Sequence, residues 1–158
     1  KTEMFRQYLP LFLEKQPYDD VVLGVASKIG AKSLVAYDFI LYHYLMDRVG
    51  QSISIEVQRK NINAKIMTEK HTIRFVENHP VDRSSSKYLF FEEKLPKMYN
   101  YGYKGFFGFP YRENKRLTQE WDEWVRETNP AMKTNWIRLY RLLPYCIYWF
   151  LIKSVLRR

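Results

Sequence analysis

Apolar positions along this chain change period several times, and each change predicts a different element. Over residues 18–49 they form a broad helical face: Val21, Val22, Val25 and Ile29, then Leu34, Val35, Ile40, Leu41, Tyr44 and Leu45. Spacings of three and four gather such residues on one side of a helix. Asp19 and Asp20 complement the positive end of its dipole. Gly24 and Gly30 weaken it, so a break is expected near Gly30, and Gly50 is expected to end it. Beyond the break the chain is apolar nearly all round except for Asp38 and His43, a pattern of burial in protein or lipid. Ahead of this stretch, residues 1–17 read as a short apolar arm broken by Pro10.

Residues 52–77 shift to alternation. Ile53, Ile55 and Val57 alternate, as do Ile62, Ala64 and Ile66, then Ile73 and Phe75. Lys60-Asn61 and Glu69-Lys70 stand where turns would fall. This predicts a small antiparallel meander with one polar face. Residues 78–117 are punctuated by Asn78-His79-Pro80, Ser84-Ser85-Ser86 and Gly102, Gly105 and Gly108, and predict a long extended connection. Residues 118–128 predict a short helix capped by Thr118. Glu120, Asp122 and Glu123 sit toward its positive end, Trp121, Trp124 and Val125 form its apolar face, and Asn129-Pro130 stops it. The expected fold class is α+β, mainly helical. It comprises an N-terminal arm (1–17), a helix with a small antiparallel sheet (18–77), an extended aromatic-rich connection (78–117) and C-terminal helices with a membrane-contacting end (118–158).

The last stretch is the most apolar. Residues 142–152 (LLPYCIYWFLI) are uncharged, bracketed by Arg138 and Arg141 before and Lys153, Arg157 and Arg158 after. Thr134 is a fitting N-cap, and Pro144 is expected to kink the helix or begin its tighter part. A bilayer core takes ~20 apolar residues, so a tilted or interfacial helix is expected rather than a span. Tyr145, Tyr148 and Trp149 suit the headgroup boundary, and Arg138, Arg141, Lys153, Arg157 and Arg158 suit anionic headgroups.

Composition sharpens this picture. Hydrophobic residues make up 46% and charged residues 27% of the 158, which is globular. Aromatics reach 17% and the formal net charge is +9, a chemistry suited to a surface that meets lipid, RNA or a partner protein. The charge is concentrated: residues 128–158 hold six basic and no acidic residues, whereas residues 1–127 hold 20 basic and 17 acidic. Cys146 is the one cysteine, so neither an intramolecular disulfide nor an all-thiolate zinc site can form. The start at Lys1 is expected of a processed or trimmed N-terminus.

Candidate chemistry is sparse. Tyr99, Tyr101, Tyr103, Phe106, Phe107, Phe109 and Tyr111 crowd residues 99–111 and are expected to form an arm gripping a partner protein, since rings bury much area at low entropic cost. Residues 104–111 (KGFFGFPY) resemble the RNA-stacking strand of RRM domains, but the second glycine is displaced and Pro110 falls inside the strand. Leu139-Tyr140-Arg141 resembles the short motif of the LYR family of mitochondrial assembly proteins, and a match of this length carries no assignment. His43 and Asp47 are four apart, a spacing that orients an imidazole, but a buried hydrogen-bonded histidine near a helix end is the expected reading. His71 and His79 lack metal-like spacing, so no metal and no cofactor are expected. Together these observations predict a non-catalytic accessory or structural subunit of a membrane-associated multiprotein complex. A mitochondrial inner-membrane respiratory or ATP-synthase-type assembly fits best, with other subunits and anionic lipid such as cardiolipin as partners. The rival expectation is an RNA-associated, organellar ribosomal protein.

Overall fold

The computed structural model describes Glu3, Arg6, Tyr8, Phe12 and residues 18–32, 55–79, 81–82, 84–106 and 108–156. The chain divides into two compact units, Lys1–Phe75 and Val76–Arg158.

In the first unit, α1 (Asp19–Gly30) begins after Tyr18, whose φ of 79° lies in the left-handed region, and stops at Gly30 with the Ala31 N–H bonded to the Ser27 carbonyl. The local signals of two aspartates and a glycine set these ends. Its inner face carries Val22, Val25 and Ala26. Tyr8 is buried with Val22 and Ala26, and Phe12, Ile29 and Phe75 pack against them. Tyr8 meets Phe75 edge to face at 5.9 Å.

The expected small antiparallel meander is overturned. Residues 55–78 form α2 (Ile55–Lys60) and α3 (Ile62–Asn78), joined at Asn61 by helical hydrogen bonds, and no strand occurs among the described residues. The alternation misled because the inward stripe of α3 is partly polar. Ile62, Glu69, Ile73 and Val76 are buried at helical spacing, with Thr68 and Thr72 beside them. Glu69 and Thr72 find partners one turn away, while the buried Thr68 hydroxyl has none among the described residues. Lys65 pairs with Glu69 at 3.2 Å, and the Thr72 hydroxyl donates to the Thr68 carbonyl at 2.7 Å. Polar side chains that find a partner within their own helix can take inward positions that a strand pattern would give to apolar ones.

The second unit is also helical, which overturns the long extended aromatic-rich connection. It contains α4 (Ser86–Tyr99), capped by the Ser85 hydroxyl, and a short α5 (Tyr101–Lys104). α6 (Tyr111–Thr128) begins seven residues before the expected Thr118 cap. Thr118 is instead buried mid-helix, donating to Asn114 Oδ1 at 3.2 Å. The polar first turns hid this start, because Asn114 is turned inward to donate to the Phe106 carbonyl. α7 (Asn135–Leu142) is capped by Thr134, which accepts from the Ile137 N–H at 3.2 Å. Pro144 separates it from α8 (Tyr145–Leu156), with Leu143 extended before the proline.

Gly102 fixes how α5 meets α6. A Cβ built there would lie 2.0 Å from Trp121 Cγ, so only glycine admits this approach. The Trp121 ring is buried, and its Nε1–H donates to the Tyr99 carbonyl at 2.9 Å.

Candidate functional site

The aromatic run and the C-terminal aromatics, read in the sequence as separate surfaces, meet in the second unit. Tyr99 stacks on Trp124 at 5.9 Å. Tyr101 is edge-on to Phe106 and Trp121, and Phe106 to Phe109. Tyr103 meets Tyr140 at 5.5 Å, Tyr140 meets Tyr148 at 5.2 Å, and Tyr111 reaches Tyr145 and Trp149. Tyr99, Tyr103, Phe106 and Phe109 are buried. They therefore pack inside the protein rather than along an extended arm, because the Gly102 approach brings α6 rings over them. Phe107 lies outside the described residues. Tyr111 is the most exposed of the described run.

Among the expected interface aromatics, Tyr148 is fully buried and its hydroxyl donates to the Tyr103 carbonyl. It anchors α8 to the core and meets no surface. Tyr145 is half-buried, donates to Asn114 Oδ1, and has its hydroxyl pKa raised by burial. Trp149 is half-buried with the Lys153 ammonium 4.6 Å from its ring.

Arg141 is drawn inward. Its Nε donates at 2.8 Å to Oδ1 of Asp122, which also accepts from the Tyr103 hydroxyl at 2.6 Å, and Oδ2 accepts from Arg126 Nε at 2.7 Å. Burial would raise the Asp122 carboxyl, but these three donors outweigh it and hold its pKa below the ordinary value. Burial, reinforced by Asp122, pushes the Tyr103 hydroxyl far up, and Tyr140 is pushed up to about 12, chiefly by burial. The three donors from α5, α6 and α7 thus converge on one anion. The sequence reading placed Asp122 at a helix N-terminus; its legible signal was Arg126, four residues on.

Beside this carboxylate is a polar cavity of about 370 Å³, lined in part by Lys115, Glu123, Arg126, Tyr140, Arg141 and Tyr145. An apolar hollow of about 420 Å³ lies elsewhere in the unit, against Val76, Val81, Tyr88, Phe91 and Leu95.

The outer side of α7 and α8 is different again. Leu142 is 80% and Phe150 70% exposed, and Leu139, Ile147 and Val155 are exposed as well. Arg138 and Cys146 are exposed on the same two helices, and no acidic residue follows Glu127. Arg157, Arg158, His43 and Asp47 lie outside the described residues. Among the described residues no His, Cys, Asp and Glu cluster is suited to a metal ion, and no helix is long and apolar enough to cross a membrane. Comparison with protein-family models, with curated proteins and with solved structures finds no match to this chain.

Proposed function

We propose that this protein is a non-catalytic accessory subunit of a membrane-associated assembly, and that α7 and α8 rest on an anionic lipid surface. The observation that carries this reading is the outer face of these helices. Single exposed apolar side chains are ordinary, but Leu139, Leu142, Ile147, Phe150 and Val155 fall together on two successive helices, a grouping that marks an interaction surface. Here they project beside Arg138 and Lys153 with no carboxylate on the segment. Apolar side chains entering the acyl boundary, with cations at headgroup level, are the chemistry of an interfacial helix. α8 has 12 residues, about 18 Å at 1.5 Å per residue, against a hydrocarbon core of about 30 Å; it lies along the surface. A cardiolipin-rich membrane such as the mitochondrial inner membrane supplies the matching lipid. The RNA-associated reading is weakened because stacking would need rings of the 99–111 run, and four of them are buried.

Deleting residues 134–158 is not a clean test, since Ile137, Tyr148 and Ile152 belong to the core. Flotation of the full chain with vesicles is better. Wild type is expected to float with phosphatidylcholine vesicles containing cardiolipin and not with phosphatidylcholine alone. The double variant Leu142→Glu, Phe150→Glu is expected to stay behind while keeping its helical circular dichroism. Leu89→Glu, at an exposed leucine of α4, serves as the control and is expected to float. Equal flotation of the double variant and wild type overturns the proposal, as does failure of wild type to float.

A further inference from the structure

We infer that the cavity beside Asp122 is a binding site for a phosphate group. Two guanidinium groups meet there over one carboxylate. Arg126 and Arg141 both reach Asp122 through Nε, at 2.7 and 2.8 Å. The bonds that hold them in place thus leave their terminal nitrogens uncommitted to that carboxylate. Arg141 Nη2 is enclosed by the protein and has no acceptor among the described residues. Enclosed charged donors are ordinarily bonded, because leaving one unsatisfied costs more than a neutral group would. Arg126 is 58% exposed at the rim. Lys115, one helical turn before Gln119 on α6, lines the same cavity and makes no ion pair among the described residues; its ammonium lies 5.9 Å from the Tyr145 ring.

The charge balance selects an anion. Lys115, Arg126 and Arg141 stand against Asp122 and Glu123, which leaves one positive charge in excess. Asp122 is committed to three donors, so Glu123 is the remaining carboxylate on the wall. Guanidinium forks match the tetrahedral oxygens of phosphate, and a mobile ammonium beside them adds a point charge. The cavity, of about 370 Å³, opens to solvent, so the group that carries the phosphate can extend out of it. That carrier is either an anionic phospholipid headgroup or a small soluble phosphate ester. The site does not depend on the lipid-surface reading, since none of its residues is an exposed apolar side chain of α7 or α8.

The test is calorimetric titration of the full-length chain with three probes: inorganic phosphate, glycerol 3-phosphate, and short-chain phosphatidylglycerol below its micelle concentration. Wild type is expected to bind at least one. Arg126→Gln and Lys115→Gln are each expected to weaken that binding about tenfold, a charge-assisted hydrogen bond's worth. Glu123→Gln is expected to tighten it severalfold by removing the opposing charge. Arg116→Gln, a helix neighbour paired with Glu120 outside the cavity, is expected to leave it unchanged. Tighter binding of the lipid than of the two soluble probes identifies a headgroup site, and the reverse order a soluble-ester site; either order supports the phosphate assignment. No binding by wild type, undiminished binding by both cation variants, or weaker binding by Glu123→Gln overturns it. Because Leu142→Glu, Phe150→Glu leaves the cavity residues in place, loss of flotation with retained phosphate binding separates this site from the lipid-surface proposal.

Discussion

Replacing Asp122 with Asn asks whether one buried carboxylate holds α7 to the rest of the second unit. Asn keeps the shape and one acceptor oxygen, but it removes the charge and presents an amide to neighbours that are themselves donors. The Tyr103 hydroxyl is enclosed, and the Arg141 side chain is 23% exposed. Hydrogen bonds to a charged group contribute about 1.5–3 kcal/mol each. The Arg126 pair is discounted, because an ion pair with so exposed a partner contributes about 0–1 kcal/mol. Both enclosed donors meet Oδ1, so the Asn oxygen keeps the two bonds but each falls from a charge-assisted to a neutral one of about 0.5–1.5 kcal/mol, and the expected loss is about 2 kcal/mol, a large part of a typical domain's stability of about 5–15 kcal/mol. Urea unfolding followed by tryptophan fluorescence measures it, since Trp121 and Trp124 are buried in the same core. The sign of the pH dependence follows from the direction of the shift. The folded carboxyl is held below its ordinary value despite burial, by the hydrogen bonds from Tyr103, Arg126 and Arg141. Its contribution is therefore complete above the unfolded carboxylate pKa of about 3.9 and is lost as pH falls through the folded value. The gap between wild type and Asp122→Asn should be flat above roughly pH 5 and close in more acidic solution. A loss below about 1 kcal/mol near neutrality, or a gap that ignores acidification, refutes the reasoning.

Three further outcomes are expected. Gly102→Ala should destabilise by about 1–3 kcal/mol, the usual cost of overpacking, because its methyl meets the buried Trp121 ring; a thermal melt equal to wild type would count against the close approach. Tyr148→Phe leaves the Tyr103 carbonyl without its donor and should cost about 1 kcal/mol in urea unfolding, with no change in the helical circular dichroism at low denaturant. Thr134→Ala should cost about 1 kcal/mol by removing the α7 cap, and rescue by Ser but not Val would identify the hydroxyl as the cause.

Some features of this protein were written in short stretches of its sequence. The aspartates before Val21 and the glycine at position 30 bound α1, Thr134 begins α7, and Pro144 divides α7 from α8. Each such signal acts within about one turn of backbone, so no distant contact is needed to read it. The concentration of apolar and cationic residues past Glu127 is likewise a property of composition. Other features depended on which side chains the fold buries, whether their partners are near or far in sequence. α3 is a helix although its apolar residues alternate, because Glu69 and Thr72 can be buried once Lys65 and the Thr68 carbonyl satisfy them. Tyr99, Tyr103, Phe106 and Phe109 turn inward because Trp121, Trp124, Tyr140 and Tyr148 arrive from later helices to cover this stretch. Asp122 gathers Tyr103 and Arg141 from 19 residues on either side. Side-chain identity limits what a residue tolerates around it; which neighbours arrive is a property of the packed chain, and burial follows from that.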